Sequence, residues 1–418
     1  MTLSPEEALA AENTAFLTLK SSDQSKALRH IFSAERQSLT DPRCQGAARD
    51  LQTLGVVGGG TMGAGISVAC LLAGLSVQMV ERDKEASAAG RARVESILEQ
   101  SRARGILSEQ GHAETLLRFS SSDDYGSLSD ADLLIEAVFE DLSAKQEVFA
   151  RLDAVTRPDA ILATNTSYLD VNTLAASVAD PSRVIGLHFF SPAHVMKLLE
   201  IVLPDAVADD VVATAARLAS RLGKIGVLAG VCDGFIGNRI MSAYRHEADR
   251  LLLDGADPWD VDAAMRDFGF AMGIYQMQDL AGLDIAWAMR KRRAAETPPG
   301  DDYIAIADRI CEQGRFGQKS GHGWYAYDTG KPAPSEETLQ IIQAERAARG
   351  AATSALTADE IMARIIGRMQ GEASEVLAEG VAAREEDIDV VMVNGYGYPR
   401  WRGGPMFALK SERLAIRP

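Results

Sequence analysis

Residues 54–81 read LGVVGGGTMGAGISVACLLAGLSVQMVE, and this stretch decides the fold. Leu54–Val57 is a short apolar run of strand type. It breaks into Gly58-Gly59-Gly60-Thr61-Met62-Gly63, a G-x-G-x-x-G turn. Ala64–Gly74 then has the small residues of a closely packed helix, with a glycine at its stop. Val77–Val80 is a second apolar run, and Glu81 stands at its end, 18 positions after Gly63. Strand, glycine turn, helix, strand and acid in this order form a dinucleotide-binding unit. Gly58, Gly60 and Gly63, with Thr61 and Met62 between them, let a pyrophosphate approach the helix N-terminus, whose free N–H groups and dipole favour an anion. Glu81 is placed to accept hydrogen bonds from the ribose hydroxyls and to repel a 2′-phosphate. NAD is therefore expected over NADP, although Arg82 next door is the residue type that holds such a phosphate.

Composition narrows the class. The chain has 418 residues, enough for two or three domains. A net charge of −16 argues against a nucleic-acid surface, which requires a basic stripe. The cysteines (Cys44, Cys70, Cys232, Cys311) are scattered without a CxxC pair, which fits a reducing compartment and no structural metal. Met1–Glu12 is acidic and lacks the apolar core of a signal peptide, and the last residues are not of the Ser-Lys-Leu type. A cytoplasmic chain is expected. Leu51–Val80 carries no charge and is long enough to span a bilayer, but its seven glycines suit a buried strand–turn–helix–strand better. No membrane association is expected.

Outward from the glycine turn, residues 1 to about 40 look helical, and Asp41-Pro42-Arg43 reads as a linker. Glu85–Leu117 is a helical region, and Ala131–Val138 is a buried strand followed by Glu140 and a helix containing Lys145. Both charges would sit at a strand's carboxyl end, where ligands bind in an open α/β sheet. Each is otherwise an ordinary helix-start charge. Ala160–Ala163 is another strand, ending in Thr164-Asn165-Thr166-Ser167, either a polar turn or part of a site. Then comes Val184–Val202, VIGLHFFSPAHVMKLLEIV. Its two apolar runs flank a proline turn. Paired antiparallel about His194, they set His188 opposite Glu200, since each lies six residues from that centre. A carboxylate inside an apolar run is costly unless partnered. A histidine facing it would be oriented and stabilised on taking a proton. A core histidine beside an edge glutamate is the plain alternative. A helix at Asp209–Leu222 and a strand at Gly226–Leu228 close the sheet.

From about residue 231 the pattern is helical and repeats. Glu247 and Gly255 recur as Glu372 and Gly380, an offset of 125, and Asp262 recurs as Asp389, an offset of 127. Arg239 maps onto Arg364, but Asn238 maps onto Ala363. Asn238 is thus an addition that the repeated frame does not require. The expected organisation is N-terminal helices and linker at 1–48, a dinucleotide-binding domain at 49–230, helical copy one at 231–335 and a shortened copy two at 336–418.

GGGTMG, EAVFEDLSAKQEVF, TNTSYL, GLHFFSPAHVMKLLEIV, DGFIGNRI, DLAGLDIAW and RFGQKSGHGWYAYD together resemble the L-3-hydroxyacyl-CoA dehydrogenase family over residues of about 54 to 330. The second copy, ending GYGYPRWRGGPMF, looks like the dehydrogenase part of multifunctional β-oxidation enzymes, without their hydratase domain. The resemblance implies an α/β Rossmann-type domain followed by an all-α domain of two related helical repeats. It implies NAD-dependent oxidation of an acyl-CoA substrate, with His188 as base oriented by Glu200. Ser167 and Asn238 would complete the polar cluster, and Glu140, Lys145 and Asn165 would line the cofactor and substrate. Copy two on the same chain implies a monomer with an internal pseudo-dimer. Three features depart from the family. Ser191 replaces a common Asn, Gly273-Ile274-Tyr275 replaces Gly-Pro-Phe, and Ala408–Pro418 reads as a charged tail in place of a helix. The tail and the missing hydratase suggest a fragment or a reduced form of a larger enzyme. Two other functions stay open: a non-catalytic CoA/NAD-binding scaffold, and a dehydrogenase of a free hydroxy acid.

Overall fold

The computed structural model describes residues 4–296, 300 and 302–416. They form two compact units. The first comprises Met1–Arg239, Ala373–Tyr396 and Arg400–Pro418; the second comprises Ile240–Glu372 and Gly397–Pro399.

The first unit is built on an eight-stranded sheet. Its strands are β1 (Thr53–Val57), β2 (Ser76–Val80), β3 (Phe119–Ser122), β4 (Leu133–Glu136), β5 (Ile161–Thr164), β6 (Val184–Phe189), β7 (Leu198–Leu203) and β8 (Ile225–Gly230). The spatial order is β3-β2-β1-β4-β5-β6-β7-β8, all parallel except the antiparallel pair β6–β7. The order reverses between β1 and β4, and a crevice for a ligand opens at such a point. This is a Rossmann-type sheet. The strands at its centre are mostly apolar because helices cover both faces, with polar side chains confined to their ends. Leu54, Val56, Leu133, Ile135, Ile161, Ala163, Ile185 and Leu187 are all buried. Leu51–Val80 is indeed strand, turn, helix and strand. Among the described residues no helix is long and apolar enough to cross a membrane.

Helix Thr61–Leu72 begins at the glycine turn and buries nearly its whole length. Small residues let it lie against the sheet: a Cβ at Gly63 would fall 1.7 Å from the Gly58 carbonyl oxygen. Gly58 has φ +99°, open to glycine at little cost. Glu85–Leu117 resolves into two helices, Lys84–Ala103 and Glu109–Leu117.

Two local features are shared by the helical copies. Copy one has helix Pro258–Phe268 followed by Ile274–Ala281; copy two has Glu385–Gly395 followed by Pro405–Ile416. In each, an aspartate from the first helix caps the second. Asp262 accepts from the backbone N–H groups of Tyr275 and Gln276, at 2.9 Å each. Asp389 accepts from Met406 at 2.8 Å and Phe407 at 3.1 Å. The glycine before each cap allows the approach: a Cβ at Gly273 or Gly404 would lie 2.3 or 2.2 Å from the aspartate. Reciprocal ion pairs give the second feature. In the first unit Arg239 pairs with Glu379, at 2.8 Å; in the second unit Arg364 pairs with Asp254 and Glu247, at 2.6 Å each. Arg239 and Arg364 are equivalent positions, as are Asp254 and Glu379, so each unit holds the same contact between the two copies.

The expected charged tail is helical as far as Ile416. Ala408–Ile416 continues helix Pro405–Ile416, while Arg417 and Pro418 lie outside the described residues. Pro405 stands in the first turn, where its missing N–H costs nothing, and Asp389 satisfies the next two donors. The N-terminal segment also joins this region. Helix Asp23–Gln37 buries Ala27, Ile31 and Ala34. Its His30 Nε2 lies 2.8 Å from Asp389, and its Glu35 accepts from Arg400 at 2.7 Å and from Asn394 at 2.9 Å.

Candidate active site

The crevice at the carboxyl ends of β1 and β2 starts with the glycine turn. Helix Thr61–Leu72 has no side-chain cap on its N-terminus. Its first N–H groups therefore remain available to an anion. A Cβ added at Gly60 would meet nothing within 4 Å, so this edge of the turn faces open space. Gly59 is held from both sides: its N–H donates to Glu81 Oε1 at 2.6 Å, and its carbonyl accepts from Arg93 at 3.0 Å. Glu81 is thereby fixed beside the turn, as a ribose-binding carboxylate must be. Arg82 is 84% exposed and pairs with Asp83 at 3.1 Å. These residues fit a dinucleotide: an uncapped helix N-terminus, a turn with no side chain in the way, and an acid at the next strand.

At the ends of β4 and β5 lies a buried polar network. Lys145 is 1% exposed, and its ammonium donates to both oxygens of Glu136, at 2.7 and 3.0 Å. It also lies 3.4 Å from Glu140. The buried ammonium therefore lies between two carboxylates, and a buried cation needs such partners. Thr164 donates to Glu136 at 2.7 Å. Glu140 in turn gathers the polar turn after β5, accepting from the Thr166 hydroxyl at 2.6 Å, the Ser167 N–H at 2.9 Å and the Tyr168 N–H at 3.1 Å. Burial opposes ionisation of Glu140, but the Lys145 charge and these donors outweigh it and hold the carboxyl below its usual range. Asn165 Oδ1 accepts from the Phe189 N–H at 2.9 Å, tying this turn to β6.

The register of β6 and β7 places His188 directly opposite Glu200, as the turn about His194 requires. His188 Nδ1 is 2.7 Å from Glu200 Oε2, and its Nε2 is 3.2 Å from the Ser167 hydroxyl. Glu200 is fully buried, and its other oxygen accepts from the backbone N–H groups of Ile236 at 3.2 Å and Gly237 at 3.1 Å. These belong to the start of helix Gly237–Asp254, whose dipole favours a negative charge there. Phe190 and Phe235 wall the imidazole, with ring centroids at 4.6 and 5.7 Å. Asn238 follows Gly237, is buried, and accepts from the Tyr396 hydroxyl at 2.9 Å.

The structure thus joins Ser167, His188, Glu200, Glu140 and Lys145 through successive contacts, with Asn238 at the same helix start. Gly58, Gly60, Thr61, Met62, Gly63 and Glu81 form the separate glycine-turn cluster. Glu136 was missed from sequence, although it is a carboxylate inside the apolar run LLIE, the signal that picked out Glu200. Tyr396 gave no such signal. A histidine held between a carboxylate and a hydroxyl, with donors nearby, is a group that can remove a proton from a hydroxyl and stabilise the resulting oxygen.

Residues 53–232 match the family model of the 3-hydroxyacyl-CoA dehydrogenase NAD-binding domain, and residues 234–327 match that of the 3-hydroxyacyl-CoA dehydrogenase C-terminal domain. NAD is accordingly the cofactor. The chain is 42% identical over 429 residues to the peroxisomal bifunctional enzyme of Danio rerio, covering 97% of this chain and 59% of that protein. Its fold is similar to that of the 3-hydroxybutyryl-CoA dehydrogenase of Escherichia coli, with a TM-score of 0.75, 28% identity, and coverage of 87% of this chain and 92% of the other. It is also similar to (S)-3-hydroxybutyryl-CoA dehydrogenase from Ralstonia eutropha, with a TM-score of 0.62, 32% identity, and coverage of 67% and 100%. The expectation of a cytoplasmic chain does not stand. Relatives from Danio rerio, Homo sapiens and Oryza sativa subsp. japonica are named as peroxisomal proteins. The cytoplasmic expectation rested on scattered cysteines, which fit any reducing compartment, and on terminal residues that do not identify a compartment.

Proposed function

Because this chain belongs to the 3-hydroxyacyl-CoA dehydrogenase family, we propose that it oxidises the C3 hydroxyl of an (S)-3-hydroxyacyl-CoA to the ketone as a step of fatty-acid β-oxidation. The observation that carries this reading is the His188 imidazole held between Glu200, at 2.7 Å, and Ser167, at 3.2 Å. An ionised Glu200 is acceptor-only, so it fixes the proton of His188 on Nδ1 and leaves Nε2 free to act as base. Nε2 takes the hydroxyl proton, and the imidazolium then faces the Glu200 charge. The backbone N–H groups of Ile236 and Gly237 hold that carboxylate in place. Ser167 and Asn238 offer hydrogen bonds to the C3 oxygen. Glu140, backed by Lys145, sets the position of Ser167 by holding its N–H. Gly58, Gly60, Thr61, Met62, Gly63 and Glu81 would hold NAD, with Asn165 at the neighbouring strand end. NAD, when bound, supplies the hydride acceptor.

The chain spans 59% of the length of the bifunctional relative it matches, so the activities of that longer protein are not transferred to it. The test is NADH oxidation with acetoacetyl-CoA, the reverse reaction, followed by absorbance. Turnover should fall by roughly 10²–10⁴ in His188→Ala while NADH still binds. Near-normal turnover in that variant would reject His188 as the base. Binding of NADH and acetoacetyl-CoA without turnover in the wild type would favour a scaffold. Turnover of free 3-hydroxybutyrate in preference to the CoA thioester would favour a free-acid enzyme.

A further inference from the structure

The two helical copies are not identical at two positions, and these positions meet. In copy two, Ala363 stands where copy one has Asn238, by the offset of 125. Helices Pro258–Phe268 and Glu385–Gly395 are equivalent end to end by the offset of 127. The residue after the first is Gly269 and the residue after the second is Tyr396. Copy one thus has a side-chain-free residue where copy two has a tyrosine. At these two positions each copy carries a polar group absent from the other. Within the first unit the Tyr396 hydroxyl donates to Asn238 Oδ1 at 2.9 Å.

The surroundings hold Tyr396 in this position. Gly395 lets the helix end close on β7, since a Cβ there would fall 2.6 Å from Leu198. The Tyr396 ring then lies on Gly237, where a Cβ would be 2.1 Å from it, and it meets Phe190 edge-on at 5.6 Å. Phe190 in turn packs on the His188 ring. The tyrosine is therefore seated against the helix start that carries Glu200's two N–H donors and Asn238.

We propose that Tyr396 is a positioning residue for the dehydrogenase reaction: copy two supplies the hydroxyl that orients Asn238 of copy one. The hydroxyl engages Oδ1 of the amide, which leaves the Nδ2 hydrogens as its donor side for the substrate's C3 oxygen. Without that bond the amide is free to turn and present its oxygen instead, which repels a developing alkoxide. This inference rests on the proposed contact between Asn238 and substrate.

The test is a double-mutant cycle with Tyr396→Phe and Asn238→Ala, assayed with acetoacetyl-CoA and NADH. The phenylalanine keeps the ring and its packing, so thermal melts should be unchanged. A lost hydrogen bond of this kind should lower kcat roughly three- to tenfold, with KM for NADH unchanged. In the Asn238→Ala background the Tyr396→Phe change should have no further effect. If the fold-loss persists in that background, Tyr396 acts by another route and the inference is overturned. It is equally overturned if Tyr396→Phe leaves kcat unchanged while Asn238→Ala lowers it. A neutral Asn238→Ala rejects the substrate contact itself and this inference with it. A wild type without turnover rejects the dehydrogenase reading first; an active wild type with an additive cycle rejects only the role of Tyr396.

Discussion

Glu200→Gln is the sharpest probe of the dyad because it changes one atom and no volume. In the wild type one carboxylate oxygen faces His188 Nδ1 at 2.7 Å, and the other accepts from Ile236 and Gly237 N–H. An amide can satisfy only one side. If its oxygen turns to the two backbone donors, its NH₂ faces Nδ1, which must then be unprotonated. The proton moves to Nε2, and the base is lost. If its oxygen turns to Nδ1–H, the NH₂ confronts two buried N–H donors. Each unsatisfied donor costs about 1–3 kcal/mol. The productive arrangement is then disfavoured by about 2–6 kcal/mol, and each 1.4 kcal/mol is a factor of ten. Turnover should fall between about 30-fold and about 10⁴-fold. NADH affinity, set by the glycine turn and Glu81, should stay within twofold of wild type. Stopped-flow reduction of acetoacetyl-CoA with NADH in excess measures the first, and fluorescence titration the second. If Glu200→Gln turns over within twofold of wild type, the tautomer argument is wrong. If NADH affinity falls in parallel, the carboxylate acts on the fold and not on the base.

Gly63→Ala places a methyl group against the Gly58 carbonyl, where a Cβ lies 1.7 Å away, and backbone cannot swing aside as a side chain can. NADH binding should be lost in fluorescence titration, and an unchanged affinity would refute the close approach. Glu81, locked by its 2.6 Å bond from Gly59 N–H, should make NADPH a much poorer substrate than NADH in steady-state kinetics; equal efficiency would mean that Arg82 faces the ribose. Asp249 is pushed up to about 6, chiefly by burial, against the pull of Arg245 and the Tyr275 hydroxyl. A carboxyl raised on folding favours the folded state when protonated, so its contribution is full below about pH 4 and is lost as pH rises through 6. Asp249→Asn, which keeps an acceptor for Tyr275, should be more stable than wild type at pH 7.5 and should flatten the fall in urea midpoint between pH 5 and 7.5; parallel curves would contradict this. With both copies on one chain the protein should be a monomer by light scattering at micromolar concentration, and a stable dimer joining copy one to copy one would overturn that.

Three features were legible because each has a signature in residue type and spacing. The glycine turn and its acid needed no tertiary information. The His188–Glu200 pairing followed from counting outward from a proline turn, because antiparallel register is set by the turn. The repeat followed from recurring acids and glycines. What escaped detection lacks such a signature. β3, Phe119–Ser122, is a polar edge strand recruited by backbone bonds to β2, so its side chains show no alternation. The helix Pro405–Ile416 was hidden because its cap, Asp389, comes from 16 residues before it and not from its own N-terminus. Lys145 was noticed as a positive charge for a ligand, but its partners Glu136 and Glu140 are brought to it only by the sheet.

The paired aspartate caps explain how a duplicated frame can diverge without losing its packing. Asp262 and Asp389 each accept two backbone N–H groups at the start of the next helix, and each requires a glycine beside it. Losing the aspartate leaves these N–H groups without their acceptor, a side chain in place of the glycine clashes with it, and both copies retain the two residues. The third partner is under no such constraint. Asp262 takes the Tyr325 hydroxyl at 2.9 Å from a loop later in copy one. Asp389 takes His30 from the N-terminal helix, whose ring also stacks on Phe407 at 4.6 Å. The same acceptor thus anchors copy one to its own downstream loop and copy two to a segment more than 350 residues upstream. Asn238 and Tyr396 are unconstrained in the same way, since Ala363 and Gly269 occupy their counterparts without disturbing the helices. Side chains outside the capping geometry can change in one copy alone. Asn238 and Tyr396 are two such side chains, and they meet beside His188.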